Sequence, residues 1–219
     1  ARTKINVLTK ISQLFEFGIR KDWVQKNITV KIDRPSCDDS IPGILTVEQA
    51  QKLLEKSATY NLRAYVGLGL FAGLRVAELL RLRWEDVLLE ENAIRIGPKV
   101  AKTRSQRIVT ITDALKRWLK GFEKDSGYVV SPTGFEYRFN RLREAAEIAE
   151  WPHNAMRHSF ASYHLAKHED PSKTAYQLGH KSTEILDRHY KALVLPRLAN
   201  QFWNLSPVND SSRREAIAA

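Results

Sequence analysis

Between Leu62 and Phe71 the chain has almost no polar face: Leu62, Tyr65, Val66, Leu68, Leu70 and Phe71 crowd one short stretch that stops at Gly73. A helix that is apolar nearly all round must be enclosed, so this segment predicts a helix through the middle of a core, with other helices laid against it. The 219 residues, 43% of them hydrophobic, are enough for one full domain plus an appendage rather than two complete domains.

The surrounding elements follow from periodicity and caps. Thr46 and Gln49 form a capping-box pattern ahead of Val47, Ala50, Leu53 and Leu54, which predicts a helix to about Ser57. A short helix from Val76 to Leu82 leads into three strands, Val87 to Leu89, Ala93 to Ile96 and Arg107 to Ile111, the first two joined as a hairpin through Glu91-Asn92. Everything after Ile111 reads as helix: 113–121, 135–150, 155–167, 173–178, 183–191 and 196–203. The expected fold class is therefore mainly α with a small three-stranded antiparallel sheet, an α+β arrangement in which the sheet is a minor insert.

The ends read differently. Ile5, Leu8, Ile11, Leu14 and Phe15 recur at helical spacing up to Gly18, and a polar, irregular stretch covers 27–40. One amphipathic helix cannot make a core alone, so it either packs on the main domain or closes another domain; the second arrangement is expected. The expected divisions are 1–32 for that helix, 33–45 for a linker, 46–194 for the main domain and 195–219 for a terminal helix and tail. In that last piece Leu198, Phe202 and Trp203 are apolar enough to dock on a neighbouring protomer.

A formal charge of +10 makes a polyanion the natural partner, nucleic acid ahead of an acidic membrane, and no apolar run is long enough to span a bilayer. A lone cysteine, Cys37, and the lack of a signal-peptide pattern at the start predict a reducing, intracellular setting. The six histidines are scattered without companion thiols or carboxylates, so no metal site is expected.

Five places could carry chemistry. Arg75 opens the helix after Gly73, where the positive end of the macrodipole favours anions; it is either an exposed arginine paired with Glu78 or one that awaits a phosphate. Arg157 sits near the start of the helix from Ala155 in the same way. Two guanidinium forks suit the nonbridging oxygens of a phosphodiester and the extra charge of a five-coordinate transition state. Lys102, in the turn between the second and third strands, belongs either to a solvated basic loop with Lys99, Arg104 and Arg107 or to a hairpin tip that reaches into a DNA groove and protonates a leaving oxygen, with Lys99, Arg104 and Arg107 then expected to bind DNA. Gly179 is a plausible helix C-cap, which places His180 just outside the helix. Tyr190, ten residues on, taken alone would be a packed amphipathic side chain.

Together these segments resemble the catalytic domain of the tyrosine recombinases, the family of phage integrases and chromosome-dimer resolvases. The resemblance runs in order through Gly73-Leu74-Arg75-Val76-Ala77-Glu78-Leu79 with Leu82-Arg83-Trp84-Glu85-Asp86, Lys102-Thr103 with Arg107-Ile108-Val109, Arg157-His158-Ser159-Phe160-Ala161-Ser162, Leu178-Gly179-His180 and Tyr190, covering roughly Ile44 to Val194. It implies the recombinase catalytic fold, related to that of type IB topoisomerases. It also implies that Arg75 and Arg157 bind the scissile phosphate, Lys102 acts as acid on the departing 5′ oxygen, His180 supports the phosphate and Tyr190 is the nucleophile. No cofactor is implied. The implied partners are double-stranded DNA and other protomers, a tetramer in the synaptic complex and a monomer when free, and the implied setting is the cytoplasm of a prokaryote, in association with DNA. Residues 1–32 then look like the end of a helical core-binding domain.

One position departs from the family pattern, which usually carries histidine three residues before the second arginine. Asn154 stands there, with His153 beside it and about 100° away on a helix. Asparagine suits an N-cap, and its amide donates to phosphate but does not take a proton at neutral pH, so an active enzyme, slowed if anything, is expected. Two other readings share these residues: topoisomerase-like relaxation, which keeps cleavage without exchange, and a non-catalytic DNA-binding relative in which Asn154 marks decay.

Overall fold

A computed structural model describes residues 1–35, 42–100, 106–180, 182–184, 186, 190 and 193–207. Cys37, Lys102, Arg104, most of the expected helix at 183–191 and the tail beyond residue 207 lie outside the described residues. The chain divides into two compact units, Ala1–Ser40 and Ile41–Ala219.

In the first unit a single helix, α1 (Arg2–Arg20), is followed by a 3-10 turn at Ile28–Lys31. Asn27 joins the two. Its amide nitrogen donates to Ser12 Oγ (3.0 Å) and Glu16 Oε1 (2.7 Å), and its carbonyl oxygen accepts from the Thr29 amide, capping the turn. Val7, Ile11, Leu14 and Phe17 along α1 remain exposed, as expected of one helix with little to pack on.

The second unit is built around the segment that the sequence marks as enclosed. Helix α3 (Arg63–Phe71) is buried from Ala64 to Phe71 and touches α2 (Val47–Ser57), α5 (Asp113–Leu119) and α7 (Ala155–His168). Gly69 permits the closest of these approaches, since a β-carbon there would lie 2.8 Å from the Met156 side chain. The capping box before α2 forms as its sequence requires: the Gln49 amide donates to Thr46 Oγ1 and the Thr46 amide to Gln49 Oε1.

Helix α4 spans only Val76–Leu79, three residues short of the expected end, and a 3-10 turn at Trp84–Asp86 delivers the chain to the sheet. Strands β1 (Val87–Leu88), β2 (Ala93–Ile96) and β3 (Arg107–Thr110) are antiparallel in the order β1-β2-β3, with Val87 opposite Ile94 and Ile94 opposite Val109. Val87, Ile94, Ile96 and Val109 face the core while Arg95, Ile108 and Thr110 face outward, the alternation of a half-buried sheet. Helix α6 (Phe135–Ala145) stops before the expected Glu150, because Glu147 takes a left-handed conformation and Ile148 folds back onto the Arg143 carbonyl. Helix α8 (Pro171–Leu178) starts two residues early, capped by Asp170 on the Lys173 amide.

The terminal helix α9 (Pro196–Trp203), whose apolar residues suit docking on this chain or on a neighbouring protomer, packs here on its own chain. Phe202 and Trp203 belong to this chain's own core, against Phe71, Phe160 and Tyr163, and Leu198 packs against its edge. Trp203 Nε1 donates to the Tyr163 carbonyl (3.1 Å), and Trp118 Nε1 to the Leu205 carbonyl (3.1 Å), so both indole donors are satisfied as they are buried. Among the described residues no helix is long and apolar enough to cross a membrane.

Candidate active site

Gly73 sets the geometry that Arg75 needs. It turns the chain with φ +64°, and a β-carbon there would come within 2.5 Å of the Phe160 ring, so glycine is required twice over, for the left-handed turn and for the close approach. Arg75 then occupies the N-cap position of α4 in extended conformation. Glu78, three residues on and fully buried, reaches back to accept from the Arg75 amide (2.9 Å) and from Arg75 Nη1 (3.2 Å).

Arg75 does pair with Glu78, but the pair is not an exposed one, because Glu78 is shared. Arg107 from β3 engages both carboxylate oxygens, Nη1 to Oε1 at 2.9 Å and Nη2 to Oε2 at 2.8 Å, and its Nε donates to the Gln177 carbonyl at the end of α8. The Arg107 side chain is only 7% exposed. Arg107, expected among the DNA-contacting residues, is turned inward: three of its five donors are engaged, and it ties β3 and α8 to the turn that carries Arg75. Lys99 is exposed in the turn after β2, as a DNA-facing lysine would be. Burial raises the Glu78 pKa, yet hydrogen bonds and charge from Arg107, with help from Arg75, outweigh it and leave the carboxyl below its ordinary range.

Helix α7 brings the second guanidinium to the same place. Ser159 and Tyr163 moor the helix to the start of the unit, through the Leu45 amide on Ser159 Oγ (2.8 Å) and the Tyr163 hydroxyl on the Leu45 carbonyl (3.0 Å). Arg157 is held by two backbone carbonyls, Nη1 on Gly73 and Nη2 on Leu178, both at 2.6 Å. Burial, reinforced by the charges of Arg75 and Arg107, lowers its pKa to about 9, which still leaves it charged at neutral pH.

Gly179 ends α8 in left-handed conformation, as a C-cap glycine does, and His180 follows directly. Arg157 Nη2 lies 3.0 Å from His180 Nε2. Arginine only donates, so Nε2 accepts and the imidazole proton sits on Nδ1, which is buried without a hydrogen-bond partner among the described residues. Burial first, then Arg157 and Arg75, depress the His180 pKa to about 4, so the ring is neutral around pH 7.

Tyr190 is buried at 5% exposure, and its hydroxyl is hydrogen bonded to His158 Nδ1 on α7, the two rings lying nearly parallel with centroids 5.7 Å apart. Burial raises the phenol pKa, while the charge of Arg157 pulls it back in part. The structure thus brings Arg75, Arg157, His180 and Tyr190 to one locality, and Lys102 lies outside the described residues.

Asn154 is at the N-cap position of α7, but not in the role expected of it. It adopts φ +54°, a left-handed conformation that asparagine tolerates better than most residues, and its side chain caps no amide. It borders a cavity of about 100 Å³ lined also by Leu74, Val76, Phe135, Phe139 and Arg157.

Three residues that matter here receive no site role from the sequence, although Glu78 and His158 stand inside the quoted motifs: Glu78, the carboxylate between two arginines; His158, on the tyrosine hydroxyl; and Gln177, whose side-chain oxygen accepts from the Thr110 amide at 3.0 Å. Glu78 left a signal as a lone acid between Ala77 and Leu79 three residues from Arg75, and His158 as the neighbour of Arg157, while Gln177 left none.

Comparison with known proteins agrees with this fold. Residues 44–194 match the phage integrase family. Tyrosine recombinase XerD of Staphylococcus aureus is 28% identical over 92% of this chain and 76% of its own, and that of Staphylococcus saprophyticus is 25% identical over the same shares. Among solved structures, XerA recombinase superposes with a TM-score of 0.56 at 22% identity, covering 95% of this chain and 73% of that one. The Tn1549 transposon integrase in complex with circular intermediate DNA gives 0.63 at 19% identity, covering 100% and 80%. A lambda integrase tetramer bound to a Holliday junction gives 0.63 at 16% identity, covering 86% and 59%. With more than half of its length matched, the chain belongs to the phage integrase family, the tyrosine recombinases, and carries that family's catalytic domain.

Proposed function

We propose that this member of a family of site-specific DNA recombinases breaks and rejoins DNA through Tyr190, by transesterification without a metal ion. The Tyr190 oxygen attacks the scissile phosphorus and forms a 3′-phosphotyrosyl bond, and the 5′ oxygen leaves as a hydroxyl. The bond energy stays in the covalent intermediate, so a 5′-hydroxyl of another strand reverses the step without ATP. Lys102 supplies the proton to the departing oxygen.

The observation that carries this reading is the charge balance around Tyr190. Among the described residues three guanidiniums, of Arg75, Arg107 and Arg157, face one carboxylate, that of Glu78, a formal excess of two positive charges in a largely buried locality. A phosphodiester brings one negative charge and its five-coordinate transition state a second, so the site is matched to the transition state rather than to the ground state. Arg107 is engaged with Glu78 and Gln177, and the donors of Arg75 and Arg157 not used on Glu78, Gly73, Leu178 and His180 remain for the phosphate oxygens. The unpartnered Nδ1–H of His180 is a further donor, and a phosphate oxygen would satisfy it.

Duplex DNA and further protomers are the partners this reading requires, four protomers for a full exchange of strands. Residues 1–40 fit the end of a helical DNA-clamping domain, since α1 leaves its apolar residues exposed. The test is a duplex nicked next to the cleavage site, from which the short fragment bearing the new 5′-hydroxyl diffuses away after attack. A covalent protein–DNA adduct with the wild-type chain and none with Tyr190→Phe is the expected result; equal exchange activity of the two would remove tyrosine from the mechanism.

A further inference from the structure

Tyr190 meets the phosphate as a neutral phenol, and a neutral phenol is a poor nucleophile until its proton leaves. Of the described groups around it, most are unable to take that proton. Arg157 is a cation, the His180 Nε2 lone pair is occupied by Arg157 and its Nδ1 already bears hydrogen, and the Asn154 amide has no basic nitrogen. His158 is different: an imidazole with its Nδ1 on the Tyr190 hydroxyl.

We propose that His158 is a catalytic residue, the general base that takes the Tyr190 proton during cleavage and returns it during rejoining. In the forward step the Oη–H bond breaks, its proton passes to His158 Nδ1, the oxygen lone pair forms the bond to phosphorus, and the P–O5′ bond breaks with its electron pair leaving on the 5′ oxygen. In the reverse step the imidazolium hands the proton back to Oη as the phosphotyrosyl bond breaks. The inference rests on the reading of Tyr190 as nucleophile.

Two features of the fold support it. His158 directly follows Arg157 on α7, and that turn is fixed by the Arg157 contacts to Gly73 and Leu178, the Ser159 contact to Leu45 and the His158 amide on the Asn154 carbonyl. One rigid turn therefore aims both a phosphate fork and a base, which is the positional accuracy that proton transfer needs. On the side of the nucleophile, the Tyr190 amide donates to the carbonyl of Leu186, a fully buried residue. The charges that oppose an imidazolium here are those of Arg157 on the same helix, Arg75 at the start of α4 and Arg107 on β3, with neutral His180 beyond α8 and Glu78 on α4 in their favourable midst. The two negative charges of the transition state offset them at the moment the proton moves.

The experiment is single-turnover cleavage of a nicked suicide duplex by the wild-type chain, His158→Gln and His158→Ala, with Tyr190→Phe as blank and with DNA affinity and unfolding midpoint measured for each. General base catalysis is worth about 10²- to 10⁴-fold. The expected result is a loss of about 10²-fold or more in both His158 variants at unchanged DNA affinity. Added imidazole should restore the alanine variant in proportion to its unprotonated fraction, and should leave the glutamine variant, which keeps the volume and a hydrogen bond but no base, unrestored. Cleavage by His158→Gln within about threefold of wild type, an alanine variant that cuts faster than wild type, or no restoration by imidazole in a folded, DNA-binding alanine variant would each overturn the assignment. Failure of the wild-type chain itself to form an adduct would instead overturn the function on which it rests.

Discussion

Replacing Glu78 by glutamine should cost more stability than any other isosteric change in this chain, and the size follows from its four hydrogen bonds. The carboxylate accepts from both terminal nitrogens of Arg107, from Arg75 Nη1 and from the Arg75 amide, with none of its own side-chain surface exposed. Glutamine keeps the shape but turns one oxygen into a donor, which then faces N–H groups that also donate, and it removes the one carboxylate paired with Arg107 among the described residues. Removing one partner of a buried ion pair costs about 3–5 kcal/mol. At roughly 2–4 °C per kcal/mol for a domain of this size, the midpoint should fall by about 6–20 °C. Because the folded pKa of Glu78 is depressed, its stabilisation is fully present above the ordinary carboxylate range and is lost as pH falls through the folded value. The difference between wild type and Glu78→Gln should therefore shrink on acidification. Urea unfolding at a series of pH values measures both quantities; a loss under about 1 kcal/mol at pH 7, or a difference that grows toward low pH, would refute the view of Glu78 as the buried anchor of two arginines.

Trp203→Ala removes a ring enclosed by Phe71, Phe160 and Phe202 and should cost about 3–5 kcal/mol in urea unfolding, with a wild-type midpoint independent of protein concentration, since α9 closes on its own chain. His180 has a folded pKa of about 4 against an ordinary 6.5, so the unfolded chain takes its proton first: that stabilisation is present above about pH 6.5 and lost toward pH 4, and His180→Gln should flatten this part of the stability profile. Asn154→His places an imidazole beside a cavity able to receive it; single-turnover cleavage should quicken and its pH profile change, and an unchanged rate and profile would mean that Asn154 imposes no handicap.

What the sequence discloses and what it hides divide along physical lines. Local rules held at several places where the partners are near in the chain: the Thr46–Gln49 box, the enclosed run to Phe71, the alternation of Ile94 and Ile96, the C-cap at Gly179. They failed where a distant partner decides the outcome. Arg107 looks like one more cation in a basic run, and only the 29 residues of chain that fold back to Glu78 convert it into a buried tie. The Tyr190 hydroxyl meets His158 across 32 residues, a contact no motif spacing encodes. Asn154 has the composition of a cap, but the chain arrives in a left-handed conformation that leaves its side chain no amide to hold. Apolar residues in α9 say that the helix must be covered, not by which copy of the chain.

The central claim is that one phenolic oxygen, supported by protein cations alone, holds the cleaved strand. It is tested most directly by digesting the trapped protein–DNA adduct, formed with a chelator present on a nicked duplex carrying the mapped cleavage site, and locating the nucleotide on the peptides by mass spectrometry. The account predicts a 3′-nucleotide on the peptide containing Tyr190, at undiminished yield in the chelator. A nucleotide on any other residue, or an adduct that forms only when a divalent cation is supplied, would contradict it.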